Sequence, residues 1–448
     1  MLRMLSQPAP QMDIDRTDGS PKAGGRSANE ASSGSGKKIK LTFVIAHLGP
    51  GGAQRVAANA ANALVERGFE VHVVVLYQRP EAYRVDPRVV IHSESPRQLA
   101  ALDLDEDQAD EQPAQTKPGG PGRPAGRVER FKTSIKRSPR LYGFTIRVLG
   151  PVFAAYHLTR ITVLLRRRIK QIAPDAVLSF LTQTNIATVL ATRGLDTHAV
   201  ISERNDPRLQ RHRFRIELLR RIVYRWADVV TANSRGAMTA LESFVPKEKL
   251  AFLPNPLAAS PSSETIAFTA PTVITVGRLV KQKGIDVLLA AWAKVAAAMP
   301  GWRLALVGDG PLESELKAQA RKLGIADSID WFGHVSDPYP LLRGAEFFVM
   351  TSRFEGTPNA LLEAMACGLP AVVSDASPGP CELVGSGGDD AAGLIVPVED
   401  AEATAHAIIA MARDETIRRR LGLTARERAR PHDADQAIDA WLKLLGCE

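Results

Sequence analysis

A chain of 448 residues, 45% apolar and 24% charged, has the make-up of a soluble folded protein and exceeds one ordinary core, so two domains are expected. Three cysteines, Cys367, Cys381 and Cys447, are too few for a disulfide framework and lack metal-ligand spacing, which points to a reducing, cytoplasmic compartment. The net charge of +8 favours anionic partners, but no recognition motif or interleaved aromatic residues speak for nucleic acid.

Residues 1–38 are rich in Ser, Gly, Pro and charge, without the apolar core of a secretion signal, and read as a disordered tail. Leu41 to Ala46 then reads as a buried strand, followed by Gly49-Pro50-Gly51-Gly52, a helix from Ala53 to Arg67 ended by Gly68, and a strand from Val71 to Leu76. This is a βαβ unit of the doubly wound kind, whose ligands collect at the carboxyl ends of strands. An acidic stretch, Asp103 to Glu111, and a Pro/Gly-rich run, Pro113 to Gly126, form an insertion over about 95–127. Arg123 to Lys170 follows with thirteen Lys or Arg against one acid, Glu129. The apolar stretch Leu141 to Leu165 is interrupted by Arg147, His157 and Arg160, whereas a spanning helix needs roughly 20 mostly uncharged residues. Ile161, Leu164, Leu165, Ile169 and Ile172 recur at helical spacing, and Ala176 to Leu181 and His198 to Ser202 are further strands.

Pro254, Pro256 and Pro261 break the pattern, and a second series opens near Pro271. Strands are expected at Thr272 to Val276, Arg303 to Val307, Ile329 to Phe332, Phe347 to Met350, Ala371 to Ser374 and Leu394 to Val396. Between them lie helices at Ile285 to Met299, Leu312 to Leu323 and Ala360 to Cys367. The expected organisation is therefore two doubly wound α/β domains, 39–258 and 259–430, facing across a cleft, with a C-terminal helix in 431–448 that packs back on the first domain.

Gly51 and Gly52 stand at a strand-to-helix junction, where the backbone can approach an anionic ligand; a tight turn without ligand explains them equally well. Glu355-Gly356-Thr357-Pro358-Asn359 opens a helix with Thr357 as its N-cap and Pro358 as its first residue, and Glu363 lies eight residues after Glu355. Amides at that helix start suit a diphosphate and two carboxylates suit sugar hydroxyls, against the plainer reading of a capped surface helix. Arg278 and Lys283 flank a turn after a strand, where two cations could neutralise a diphosphate or simply face water. Gly308-Asp309-Gly310-Pro311 reads as a structural turn.

These elements together resemble the retaining glycosyltransferases of family 4, of GT-B fold. The matching runs, in order, are Val276-Gly277-Arg278-Leu279 with Lys283-Gly284, Leu306-Val307-Gly308-Asp309-Gly310-Pro311-Leu312, Phe332-Gly333-His334-Val335 and Ser352-Arg353-Phe354-Glu355-Gly356. Leu361-Leu362-Glu363-Ala364-Met365-Ala366-Cys367-Gly368-Leu369-Pro370 completes an E-x7-E element. In the first half, Gly51-Gly52-Ala53-Gln54-Arg55-Val56, Ser202-Glu203-Arg204-Asn205 and Pro254-Asn255-Pro256 are similar to the subgroup acting on lipid-linked or polysaccharide acceptors, many of which carry Glu where Gln54 stands. The resemblance implies a nucleotide-diphosphate sugar donor whose phosphates meet Arg278 and Lys283, with Glu355 on the sugar and Glu363 on the ribose. Gly51, Gly52, Gly356, Thr357, Pro358 and Asn359 complete the implied donor site. It also implies retention of configuration by front-face attack, with no metal and no cofactor. Several relatives place a His after a first-domain strand; here Glu203, Arg204 and Asn205 occupy that place and are acceptor-side candidates. His47 is a possible substitute, against a packing or capping role. The fold also hosts phosphorylases and sugar-nucleotide epimerases, and a non-catalytic nucleotide-sugar-binding protein is a further alternative.

Leu141, Phe144, Val148, Leu149, Val152 and Tyr156 share a helical face beside Arg130, Lys132, Lys136, Arg137, Arg140 and Arg147. A second basic run, Arg204 to Arg225, has eight Arg and two acids. Such segments suit an anionic membrane surface or a core helix with a solvated basic side, and a peripheral place on the inner face of the membrane is expected.

Overall fold

The computed structural model describes residues 38–49, 51–77, 79–93, 139–204, 207–208, 214–257, 263–385 and 387–447, with the backbone alone over 139–154 and at 389. The expected tail, the acidic insertion, Asn205, the basic run up to residue 138 and the apolar face from Leu141 to Val152 fall outside the described residues or side chains.

The first half runs β1 (Lys40–Ile45), α1 (Gly52–Glu66), β2 (Glu70–Val75), β3 (Val90–Ser93), α2 (Pro139–Ile172), β4 (Ala176–Phe180) and α3 (Thr182–Thr192). It continues with β5 (His198–Glu203), α4 (Phe214–Val223), β6 (Val229–Ala232), α5 (Arg235–Leu241) and β7 (Leu250–Phe252). The seven strands form one sheet in the order β3-β2-β1-β4-β5-β6-β7, every neighbour parallel. Strands buried on both faces are near-continuous apolar runs, as in Leu41 to Ile45 and Val71 to Val75. The expected strands and the helix after the glycine turn stand within a residue of their positions. No strand is expected from sequence at Val90–Ser93, Val229–Ala232 or Leu250–Phe252, because these pieces of three or four residues carry no long apolar run and are defined by their pairing in the sheet.

The second half runs β8 (Thr272–Val276), α6 (Ile285–Ala298), β9 (Arg303–Val307), α7 (Glu313–Lys322), β10 (Ile329–Gly333), α8 (Tyr339–Gly344) and β11 (Phe347–Met350). Then come α9 (Asn359–Ala366), β12 (Ala371–Ser374), α10 (Pro378–Val384), β13 (Gly393–Val396), α11 (Ala401–Arg413), α12 (Glu415–Ala429) and α13 (Ala434–Leu444). Its six parallel strands are ordered β10-β9-β8-β11-β12-β13. Gly308, at φ +137°, is required here: a Cβ would stand 2.0 Å from the Gly277 carbonyl oxygen, so the turns after β8 and β9 pack backbone on backbone. This close packing gives the glycine at 308 a steric reason in the turn.

The last helix belongs to the first sheet's core. Trp441 of α13 packs edge-on against Phe43 of β1 and beside Phe180 of β4, and its indole N–H donates to the Pro254 carbonyl at 2.8 Å. Arg67, after α1, pairs with Asp435 and Asp439 on the same helix. Both sheets reverse strand order at an interior point, β1/β4 in one and β8/β11 in the other, and the crevice outside the carboxyl ends at such a point is where doubly wound sheets bind ligands.

Candidate active site

The second sheet's reversal point gathers the sequence-predicted charges. Arg278 sits half-buried directly after β8, in a turn held by the Leu279 amide donating to the Asp309 carbonyl at 2.7 Å. Gly284, at φ +62°, lets the following turn touch β11, since a Cβ there would lie 2.0 Å from the Thr351 carbonyl oxygen. This close approach carries Lys283 to the loop after β11, where its Nζ lies 2.5 Å from Glu355 Oε1. Ser352 Oγ donates to the same carboxylate oxygen at 2.8 Å, so Glu355 is fixed by a cation and a hydroxyl.

Glu363 lies on α9, almost fully buried at 3% side-chain exposure. One oxygen takes the Arg55 guanidinium of α1 at 2.8 Å, and the other, Oε2, has no hydrogen-bond partner. Burial pushes its pKa up to about 7, against the pull of Arg55 and with a further push from Asp337. A buried carboxylate with one bare oxygen, tied to a cation from the other half of the chain, is a hydrogen-bond acceptor held ready for hydroxyl donors.

Thr357 is not the N-cap that its position suggests. Pro358 takes that place, α9 starts at Asn359 without a side-chain cap, and the Thr357 hydroxyl instead donates to the Asn233 carbonyl after β6. The reason is tertiary: a buried backbone carbonyl of the first half needs a donor more than the uncapped helix start does. Asn359 is likewise spent between the halves, accepting from Asn255 Nδ2 at 2.7 Å and donating to the Gly52 carbonyl at 3.2 Å. Gly52 and its glycine turn therefore do meet the second-half site, and Gly51 donates its N–H to the Tyr83 hydroxyl at 3.1 Å. Gly356 is half-buried between Glu355 and Thr357. Glu382 of α10 closes the seam elsewhere, accepting the amides of Arg235 and Gly236 at 2.8 and 2.7 Å.

The first sheet's candidates turn inward. His47 is buried, its Nδ1 accepting the Gly49 amide at 3.1 Å, and burial, aided by Arg79, lowers its pKa to about 4. It is the neutral capping group of its loop. Glu203 accepts from Thr182 Oγ1 at 2.9 Å and from the buried Tyr224 hydroxyl, whose pKa burial and the Glu203 charge drive well upward. Arg204 donates to Asn255 Oδ1 and to Ser202 Oγ, and burial lowers its pKa to about 9. Both are buried, and their bonds named here run to core and linker residues. Arg55 is the site residue that sequence reasoning leaves without a role. Its place one turn into the helix after Gly51-Gly52 is the available signal, while its partner depends on how the halves meet.

Residues 51–256 match the glycosyl transferase 4-like domain, and residues 259–428 match glycosyl transferases group 1. The chain is 26% identical over 409 residues to the GalNAc-alpha-(1->4)-GalNAc-alpha-(1->3)-diNAcBac-PP-undecaprenol alpha-1,4-N-acetyl-D-galactosaminyltransferase of Campylobacter jejuni, covering 91% of this chain and 98% of that protein. It is 28% identical over 314 residues to the N-acetylgalactosamine-N,N'-diacetylbacillosaminyl-diphospho-undecaprenol 4-alpha-N-acetylgalactosaminyltransferase of the same organism, covering 66% of this chain and 83% of that one. The fold is similar to that of HepE from Anabaena, solved in complex with UDP, at a TM-score of 0.63 and 16% identity over 92% of this chain and 100% of that one. The chain thus has the GT-B fold, its first half belonging to the glycosyl transferase 4-like domains and its second to the glycosyl transferases of group 1.

Proposed function

We propose that the protein is a retaining glycosyltransferase that moves a hexose or N-acetylhexosamine from a nucleotide-diphosphate sugar, UDP-linked, to a lipid-linked or polysaccharide acceptor in cell-envelope glycan synthesis. The observation that carries this reading is the group Arg278, Lys283 and Glu355 at the second sheet's reversal point, with the bare Glu363 oxygen on the adjoining helix. The two Campylobacter relatives named above are transferases of undecaprenol-diphosphate-linked glycans, and the Anabaena relative holds UDP, which supports both donor and acceptor class.

In this reading Glu363, held by Arg55, accepts the ribose hydroxyls, and Glu355 accepts from the sugar. The acceptor hydroxyl oxygen attacks the anomeric carbon from the face of the leaving group. The bond from that carbon to the diphosphate oxygen breaks, and the hydroxyl proton passes to the departing phosphate. Negative charge grows on the diphosphate, where Arg278 and Lys283 stabilise it. Lys283 exchanges part of its hold on Glu355 for the phosphate, so donor binding loosens that ion pair. The protein works peripherally at the inner face of the membrane. Among the described residues no helix is long and apolar enough to cross a membrane.

Incubation with a panel of nucleotide sugars, reading released nucleotide and the anomeric configuration of the product by NMR, tests the reading. Release of UDP with an α-configured product from an α-configured donor is expected. An inverted product, or no turnover of any nucleotide sugar, would sink it.

A further inference from the structure

Helix α4 and the 3-10 turn Tyr224–Trp226 that continues it have two unlike faces. Val223 and Tyr224 are buried in the first domain's core, with Ile216 and Leu219 packed against it. The opposite face carries Phe214, Leu218, Ile222 and Trp226, exposed at 81%, 48%, 44% and 45%. They recur every four residues, so they form one apolar row about 18 Å long on the outside of the molecule. A row this long is not the scatter of single apolar residues that ordinary surfaces tolerate.

The flanks are cationic. Arg215, Arg221 and Arg225 are exposed beside the row, and the Arg193 guanidinium lies 4.3 Å over the Trp226 ring. The one acid on α4, Glu217, is neutralised locally by Arg220 at 2.6 Å and Arg221 at 3.3 Å. Asp228, just past the turn, accepts the Ala199 amide at 2.7 Å. A second copy of the chain on this face would set arginine rows against each other, which like charge opposes. A bilayer with anionic headgroups satisfies both halves of the pattern, because acyl chains take the apolar row, phosphates take the guanidiniums, and a tryptophan suits the boundary between them.

We propose that the α4 face of Phe214, Leu218, Ile222 and Trp226, edged by Arg215, Arg221 and Arg225, is the surface by which the protein docks on an anionic lipid bilayer. Its purpose rests on the lipid-linked acceptor reading: α4 follows β5, on the acceptor side of the fold, so docking there presents the first domain to a lipid-borne glycan.

The test uses the full chain with vesicles of phosphatidylcholine alone and of phosphatidylcholine mixed with phosphatidylglycerol. Wild-type protein should sediment with the anionic vesicles only, less so as salt rises, with a blue-shifted Trp226 emission read against a Trp226→Phe control. The variant Phe214→Ser/Leu218→Ser/Ile222→Ser, altered only at exposed positions, should bind about ten-fold more weakly. Arg215→Gln/Arg221→Gln should flatten the salt dependence. In detergent, both variants should keep wild-type transfer to a lipid-linked acceptor. Undiminished vesicle binding by the serine variant overturns this surface while leaving membrane docking intact. A wild-type protein that ignores anionic vesicles yet transfers sugar in detergent overturns the docking and leaves the function standing. A dimer in solution that the serine variant dissociates makes the face a self-interface and overturns the proposal. Vesicle binding that behaves as expected, with no transfer to any acceptor, supports the docking and removes the function proposed for it.

Discussion

At the carboxyl ends of the two sheets, similar topology is put to different use. On the second sheet, Lys283 and Glu355 pair at 2.5 Å while keeping 21% and 9% of their side chains open. On the first, Glu203 and Arg204 are closed off, bonded to Thr182, Tyr224, Ser202 and Asn255. A charged pair left partly open can exchange its partner for a ligand; a buried one costs desolvation if it is broken and so serves as structure. Charges at a reversal point are therefore not equivalent. Those of the second half stay partly open, which the proposed function assigns to a diphosphate and a sugar, and those of the first half are bonded to the domain core and its linker.

The largest effects are expected at Lys283 and Arg278. Lys283→Ala and Arg278→Ala should each lower turnover by roughly 10²–10³ while the melting transition stays near wild type, because each removes a preorganised charge from the leaving group. Near-normal kcat in both variants would mean that the open charges are as structural as the closed ones.

A smaller effect is expected at Glu363. Its carboxyl ionises at about 7 rather than near 4.5, so the donor KM should fall as pH rises through about 7 and level off above, as the charged acceptor forms. The same raised value means that this group's stabilising contribution is full below the ordinary carboxylate range and is lost as pH rises towards 7, because the unfolded chain releases the proton first. Glu363→Gln should raise the donor KM about ten-fold and abolish that pH limb. Arg55→Ala should move the limb to higher pH by removing the cation that favours the charged form. A limb that survives in Glu363→Gln belongs to another group.

On the first side, turnover should barely change. Tyr224→Phe removes the hydroxyl that donates to Glu203 and should cost about 1–3 kcal/mol of stability in denaturant melts, with kcat unchanged for the folded fraction. A loss of kcat without loss of stability would make the Glu203 network catalytic and erase the contrast. The smallest effect is expected from chelation: with cations on the leaving group, activity should persist in EDTA, and loss restored by magnesium or manganese would show that Arg278 and Lys283 do not suffice.

Much of this was readable before any coordinates. The strands Thr272–Val276, Arg303–Val307, Phe347–Met350 and Ala371–Ser374 stand where apolar runs between glycine turns place them, because a parallel strand buried on both faces is written in contiguous residues. Arg278, Lys283 and Glu355 were legible as charges in the loops that follow strands, while the roles expected of them came from the family resemblance. The short strands Val229–Ala232 and Leu250–Phe252 were not, as pairing with strands from elsewhere in the chain defines them.

What sequence alone determined, then, is everything that depends on near neighbours: the alternation of strands and helices, the turns, and the charges standing at their ends. Tertiary structure decided which of those charges stay partly open and which are closed off. It turned Thr357 from a helix cap into a donor to Asn233, spent Asn359 on the seam with Gly52, sank Glu203 beneath Tyr224, and set Arg55 on Glu363. It also left the row from Phe214 to Trp226 uncovered, although the same apolar spacing on α1 is buried. Period and composition state that a helix has an apolar side; whether that side meets a core or a membrane is set by the chain that packs against it, far away in sequence.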